Sequence, residues 1–285
     1  MWSQWRQRLT RLPWWHLAPL FIGIITAWTW AWLYGSSMVF EQRMWGYGWP
    51  GYVLDSWLVA HGVPQRTDDL RTLVYPGLLG AMGEGLGSYA DAGVLIASMS
   101  VLVCIAACGV GATALAGGWA GGLAALCAGI ALTHQEAPTT INQYPLLAAC
   151  TATAIAMAMI CIRWPRPLWA AGAGLAAGLA WMVESRGLLV MPLVLAAVAL
   201  GAWDQRKNEP WKLGLALGIA LLLCGLGRNQ MTQLQRHETE QSASYEAQLV
   251  DRQRDVVLRW IRSEEQHLES DCGAVTRDEL LQSSF

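Results

Sequence analysis

The segment from Ser36 to Asp91 carries Glu41, Asp55, Asp68, Asp69, Glu84 and Asp91, with His61, Arg43, Arg66 and Arg71 among them. A carboxylate removes a proton from a hydroxyl nucleophile well only when its pKa lies near the working pH, and a weakly polar setting raises it toward that range. Asp55 is the acid best placed for this. Trp49-Pro50 followed by Tyr52, Leu54, Trp57, Leu58 and Val59 reads as a surface-lying helix that would hold its carboxylate near an interface. Glu41 is the second candidate. Arg186, with Glu184, stands in a tight turn between two apolar blocks, where a charge is costly unless it is paired or reaches headgroups. Its guanidinium suits a lipid phosphate, and it equally suits snorkelling or pairing with Glu184. His134, Gln135, Glu136, Asn142 and Gln143 suit sugar hydroxyls, although a plain solvated loop is the simpler reading of that stretch.

Other chemistries lack their signatures. The chain has no phosphate-binding P-loop, no His/Cys metal spacing, no nucleophile elbow and no dinucleotide fingerprint. Acids and bases deep inside an apolar block, which would mark an ion path, are missing too. No cofactor is implied; a divalent cation is left open. The net charge of −2 and the scattered basic residues argue against nucleic acid. Cys104, Cys108, Cys127, Cys150, Cys161 and Cys224 lie in apolar blocks and Cys272 alone in a polar one, so no intrachain disulfide is expected.

The elements that must position these groups are membrane spans. Hydrophobic residues make up 54% of the chain and charged ones 14%, and the apolar residues come in long blocks. The blocks run about 17–34, 93–116, 119–133, 144–162, 168–183, 187–203 and 211–227. Several are near or below the roughly 17-residue lower limit for a crossing. The expected fold is all-α, a polytopic bundle of about seven spans. Lys and Arg of the amino terminus, of Arg163-Trp164-Pro165-Arg166, and of Arg206-Lys207 with Lys212 fall on one side if all seven cross. That side is expected to be cytoplasmic, with the outer loop 36–91 and the carboxy-terminal tail outside. The first block follows three arginines and is rich in tryptophan, so it reads as an uncleaved anchor.

Ser88-Tyr89-Ala90-Asp91 is a capping-box pattern that predicts a helix start. Glycines at four-residue spacing (117 and 121, 118 and 122, 174 and 178, 214 and 218) predict close helix contacts, most simply within one bundle. The membrane domain is expected over 1–227 and an extracytoplasmic tail over 228–285. Val250, Val257, Ile261 and Leu268 in that tail place an amphipathic helix at about 239–269, resting on its own membrane domain or on a protein partner.

The order of parts resembles the GT-C superfamily of membrane glycosyltransferases, in the branch of protein mannosyltransferases and lipid A aminoarabinose transferases. The resemblance covers about residues 17–227. It rests on a first span, a large outer loop with a helix ending in Ala60-His61-Gly62-Val63-Pro64, then Tyr75-Pro76-Gly77-Leu78-Leu79 with Leu86-Gly87, Arg163 and Arg166 ahead of the Ala171–Ala180 run, and Arg186 ahead of Pro192. It implies the shared seven-span module alone, a bacterial inner-membrane location, and sugar transfer from a polyprenyl-phosphate donor to an extracytoplasmic acceptor. It also implies a catalytic aspartate about four residues before Tyr52, where Gly48 stands, so that Glu41 or Asp55 takes over or the catalytic group is lost. Arg186 falls where the family often has a basic residue near the lipid phosphate. The competing expectation is a non-catalytic scaffold or lipid-binding subunit on the same fold.

Overall fold

The computed structural model describes residues 17–37, 49–60, 74–134, 141–204 and 211–241, and among them the chain is helical with no strand. The elements are α1 (Ala18–Ser37), α2 (Trp49–Ala60), α3 (Val74–Leu86), α4 (Tyr89–Ala116), α5 (Gly118–His134), α6 (Tyr144–Arg163) and α7 (Pro167–Val183). A 3-10 helix, Ser185–Val190, then runs into α8 (Met191–Asp204), and α9 spans Trp211–Gln241.

Local chemistry sets the breaks. Ser88 caps α4 as its motif predicts, its Oγ accepting from the Asp91 N–H at 3.2 Å. The helix ends at Gly117, whose φ of 95° lies in the region that favours glycine and turns the chain straight into α5. At α6, Asn142 Oδ1 accepts from the Tyr144 N–H at 2.9 Å and Pro145 occupies the first turn, where its missing N–H costs nothing. α7 stops at Glu184, which is extended (φ −154°, ψ 145°). Gly187 then lies so close to the Ala180 carbonyl that an added Cβ would overlap it, so the turn closes tightly on α7.

Contacts give the helix directions. Gly122 on α5 meets Pro19 on α1 and Gly129 meets Ala27, so α1 and α5 run parallel. Gly93 of α4 meets Ile141, just ahead of α6, and Arg163 at the end of α6 reaches Ala114 on α4, so α4 and α6 are parallel as well. Gly174 meets Leu217 and Gly178 meets Cys224, which pairs α7 in parallel with α9. Two ends result. One gathers Gly117, Trp164–Arg166 and Trp211; the other gathers α3, Ser88, Gln143, Glu184 and Arg228.

Alanine, valine and cysteine fill the seams between helices, as in the cluster of Ala154, Cys161, Ala173, Ala177, Val194 and Leu217. A second cluster joins α1, α4, α5 and α6, and a third joins α2 and α3 to the start of α4 and to Ile141. Thr113, Thr133 and Thr153 satisfy their hydroxyls on carbonyls one turn back, at 2.8, 2.6 and 2.7 Å. The bundle's outside is equally apolar: Phe21, Leu168, Leu189, Leu200, Leu222 and Leu223 are exposed, and only 22% of the α9 span is buried. A soluble monomer seldom shows so much continuous apolar surface. This is a membrane protein.

Each of the seven expected blocks is helical, but among the described residues four helical stretches are both long and apolar enough to cross by themselves: Tyr89–Ala116, Tyr144–Arg163, Ser185–Trp203 and Trp211–Gln233. The apolar helices Ala18–Leu33, Gly118–Thr133 and Pro167–Val183 are shorter. At 1.5 Å per residue they fall a few ångströms short of a hydrocarbon layer about 30 Å thick. The expected outer-loop helix is present as α2, packed on α3 through buried Tyr52 and Ser56. The amphipathic tail helix expected at 239–269 falls outside the described residues apart from the last turn of α9.

Candidate functional site

Charge and aromatic residues collect at the two ends of the bundle, and the ends differ. At the Trp164 end, Trp119, Trp164, Trp203 and Trp211 are exposed, Trp119 by 81%. Tryptophans in a ring at helix ends are the usual anchors at a membrane surface. Lys212 lies 5.8 Å from the ring centre of Trp211. Arg163 is buried, donates from Nη1 to the Ala114 carbonyl at 2.5 Å, and sits 4.9 Å over Trp164. It ties the last turn of α4 to the last turn of α6, as a cation at helix C-termini should.

At the Glu184 end the polar groups are turned inward. Glu184 is only 2% exposed, yet it follows directly on an apolar span. Its Oε1 lies 3.4 Å from Arg186 Nε, and its Oε2 has no hydrogen-bond partner among the described residues. Arg186, on the 3-10 helix, is 63% exposed and carries the rest of its guanidinium outward. Arg228, from the far half of α9, donates to the Trp181 carbonyl and to Ser185 Oγ, the latter at 2.7 Å, and lies 4.8 Å over the Trp181 ring. Two guanidinium groups therefore flank the turn that holds a buried carboxylate.

Tyr75 and Gln143 belong to the same end. Tyr75 opens α3, is completely buried, and meets Tyr52 of α2 edge-on with ring centres 5.4 Å apart. Burial, and then the neighbouring Tyr52, push its phenol above its ordinary range. It packs in one cluster with Ile141 and Leu146, on either side of Gln143, which is 2% exposed. The Tyr75 hydroxyl and Gln143 Oε1, like Glu184 Oε2, lack a hydrogen-bond partner among the described residues. α3 touches α7, and α6 touches the 3-10 helix. Beside them, the Tyr89 hydroxyl donates to Glu84 at 2.5 Å and locks the end of α3 to the start of α4.

In comparisons with protein-family models, curated proteins and solved structures, nothing matches this chain.

The sequence candidates are distributed unevenly over this geometry. Arg186 does pair with Glu184 and remains largely exposed. Asp55 lies within α2, one of the helices of the third cluster, but its side chain is outside the described residues, as are Glu41 and Gly48 entirely. Of the hydrogen-bonding residues between α5 and α6, Gln143 is buried rather than solvated and Asn142 accepts from the Tyr144 N–H at the start of α6. Among the described residues no group of His, Cys, Asp and Glu could hold a metal ion. Three residues were missed as site members. In the sequence Tyr75 stands only as part of a motif, Glu184 only as a partner for Arg186, and Arg228 only as the start of the polar tail. Arg228 had a legible signal: it follows seventeen residues of apolar helix and must find a partner.

Proposed function

We propose that this chain is a membrane glycosyltransferase-like protein of seven crossings that takes a sugar from a polyprenyl-phosphate donor to an extracytoplasmic acceptor at its Glu184 end. The observation that carries this reading is the cluster of Glu184, Arg186 and Arg228 at one end of an otherwise apolar bundle. Two guanidinium groups at a membrane surface are suited to a lipid phosphate, and a buried acceptor layer beside them is suited to what the phosphate carries. Seven crossings are supported by the helix directions, since the three shorter helices run side by side with the longer ones and end at the same levels. The tryptophans, Arg166 and Lys212 at the Trp164 end support placing that end, and the amino terminus, in the cytoplasm.

In the reaction, a carboxylate takes the proton of the acceptor hydroxyl, the acceptor oxygen forms a bond to the sugar carbon, and the bond from that carbon to the phosphate oxygen breaks. The lipid phosphate leaves with the electron pair, and Arg186 stabilises its charge. Asp55 and then Glu41 are the carboxylates proposed for the proton.

Purified chain in liposomes, supplied with a polyprenyl-phosphate hexose and an acceptor, tests this directly. Asp55→Asn is expected to slow transfer by about 10²–10⁴-fold if Asp55 is the base, and Arg186→Ala to weaken binding of the lipid phosphate. Wild type that binds the lipid and transfers nothing would leave a lipid-binding subunit as the better reading, which the glycine at position 48 already favours. A topology reporter fused after Phe285 should read as extracytoplasmic; a cytoplasmic signal would require an even number of crossings.

A further inference from the structure

Three buried side-chain atoms at the Glu184 end have no hydrogen-bond partner among the described residues: the Tyr75 hydroxyl, Gln143 Oε1 and Glu184 Oε2. Each belongs to a residue no more than 2% exposed. Leaving such an atom unsatisfied is unfavourable, and three at one end of one bundle need a common explanation. Elsewhere Thr113, Thr133, Thr153 and Ser56 bond to their own helices, and the other such atoms among the described residues are Arg163 Nε and Nη2, on a guanidinium whose Nη1 bonds to Ala114.

The types of atom decide what would satisfy them. Gln143 Oε1 and Glu184 Oε2 only accept, so they call for donors. A phosphate brings acceptors alone, and it would be repelled by the carboxylate. An ammonium group could donate to both oxygens but could not accept the Tyr75 proton. Hydroxyl groups donate and accept, and so fit all three. The arginines, by contrast, only donate; Arg186 on the same turn is largely exposed, and the partly buried Arg228 bonds to Ser185. The two sets divide one ligand between them, hydroxyls inward and phosphate outward.

We infer that Tyr75, Gln143 and Glu184 form a buried recognition site for the hydroxyl groups of a sugar carried on a lipid phosphate. This rests on the reading given under Proposed function and adds to it the residues that distinguish a loaded carrier from an empty one. Sugar binding would supply the partners that the bundle itself withholds. Selectivity follows, because an empty carrier leaves all three atoms unsatisfied.

The test uses the full chain in nanodiscs and two probes, a polyprenyl phosphate and the same lipid esterified with glucose. Wild type is expected to bind the glucosyl lipid about tenfold more tightly, the order expected when one or two hydrogen bonds to buried or charged groups are gained. Tyr75→Phe and Gln143→Leu should each bring the two affinities together while binding of the bare phosphate persists. The melting temperature of the ligand-free Tyr75→Phe and Gln143→Leu proteins should hold or rise, because each removes an unsatisfied buried atom. A merely structural role would do the reverse, lowering the melting temperature and weakening both probes alike, and that result overturns the site. Equal binding of the two probes by wild type also overturns it and leaves the polyprenyl-phosphate reading standing. Binding of neither probe overturns both.

Discussion

Arg163 and Glu184 are both buried charges at the end of a helix, at opposite ends of the same bundle, and they are bonded to different kinds of partner. Arg163 donates to a backbone carbonyl of the neighbouring helix and lies against Trp164, so its charge is used to join α4 to α6. Glu184 has one oxygen near Arg186 and the other without a partner among the described residues. The first arrangement is a fastening. The second leaves a carboxylate oxygen, which can only accept, without a donor among the described residues. Burial of a charge therefore does not identify a site by itself; Arg163 is tied to the backbone of a neighbouring helix, whereas Glu184 faces a side chain that is itself largely exposed.

Three substitutions would break or sharpen that contrast. The largest effect is expected at Gly122, near the Trp164 end, where an added Cβ would overlap the Pro19 carbonyl of α1. Gly122→Leu should separate α1 from α5 and cost about 3 kcal/mol or more, read as loss of folded protein in detergent extracts. If it is tolerated, the close packing assigned to that end is wrong. Arg163→Met comes next: it leaves the Ala114 carbonyl unpaired in an apolar seam and should cost about 2 kcal/mol, seen as a lower melting temperature with lipid binding unchanged. A smaller loss, about 1 kcal/mol, is expected for the partly buried Arg228→Ala. Its readout is faster hydrogen exchange confined to the far half of α9, together with weaker polyprenyl-phosphate binding. Should Arg228→Ala cost more than Arg163→Met, the Glu184 end is the more firmly built of the two and the contrast reverses.

Much of this was legible in the residues. Five of the seven apolar blocks became helices within a few residues of their expected limits, and the block expected at 211–227 runs on as α9 to Gln241, because lipid forces every backbone polar group to be satisfied within its own segment and leaves the helix as the available answer. The seventh, expected at 187–203, begins as a 3-10 turn before α8, since Gly187 folds back on Ala180. The cap at Ser88 was legible for a local reason too, as its bond spans three residues. Glycine spacing was a weaker guide. Gly174 and Gly178 meet α9 closely, whereas Gly214 and Gly218 have nothing within 4 Å, and the same pattern gives no sign of which face has a neighbour.

The sequence by itself determined that this protein is a helical membrane protein, where its apolar helices lie, and that Arg186 and Glu184 share a turn. Those properties follow from hydropathy, charge and bonds between near neighbours in the chain. Only the tertiary structure decided that Arg228 reaches back to Trp181 and Ser185, that Tyr75 and Gln143 are buried at the same end as Glu184, and that the polar atoms there are left incomplete. Each of these depends on which helix lies beside which, and partners 43 or 47 residues apart leave no mark in local composition.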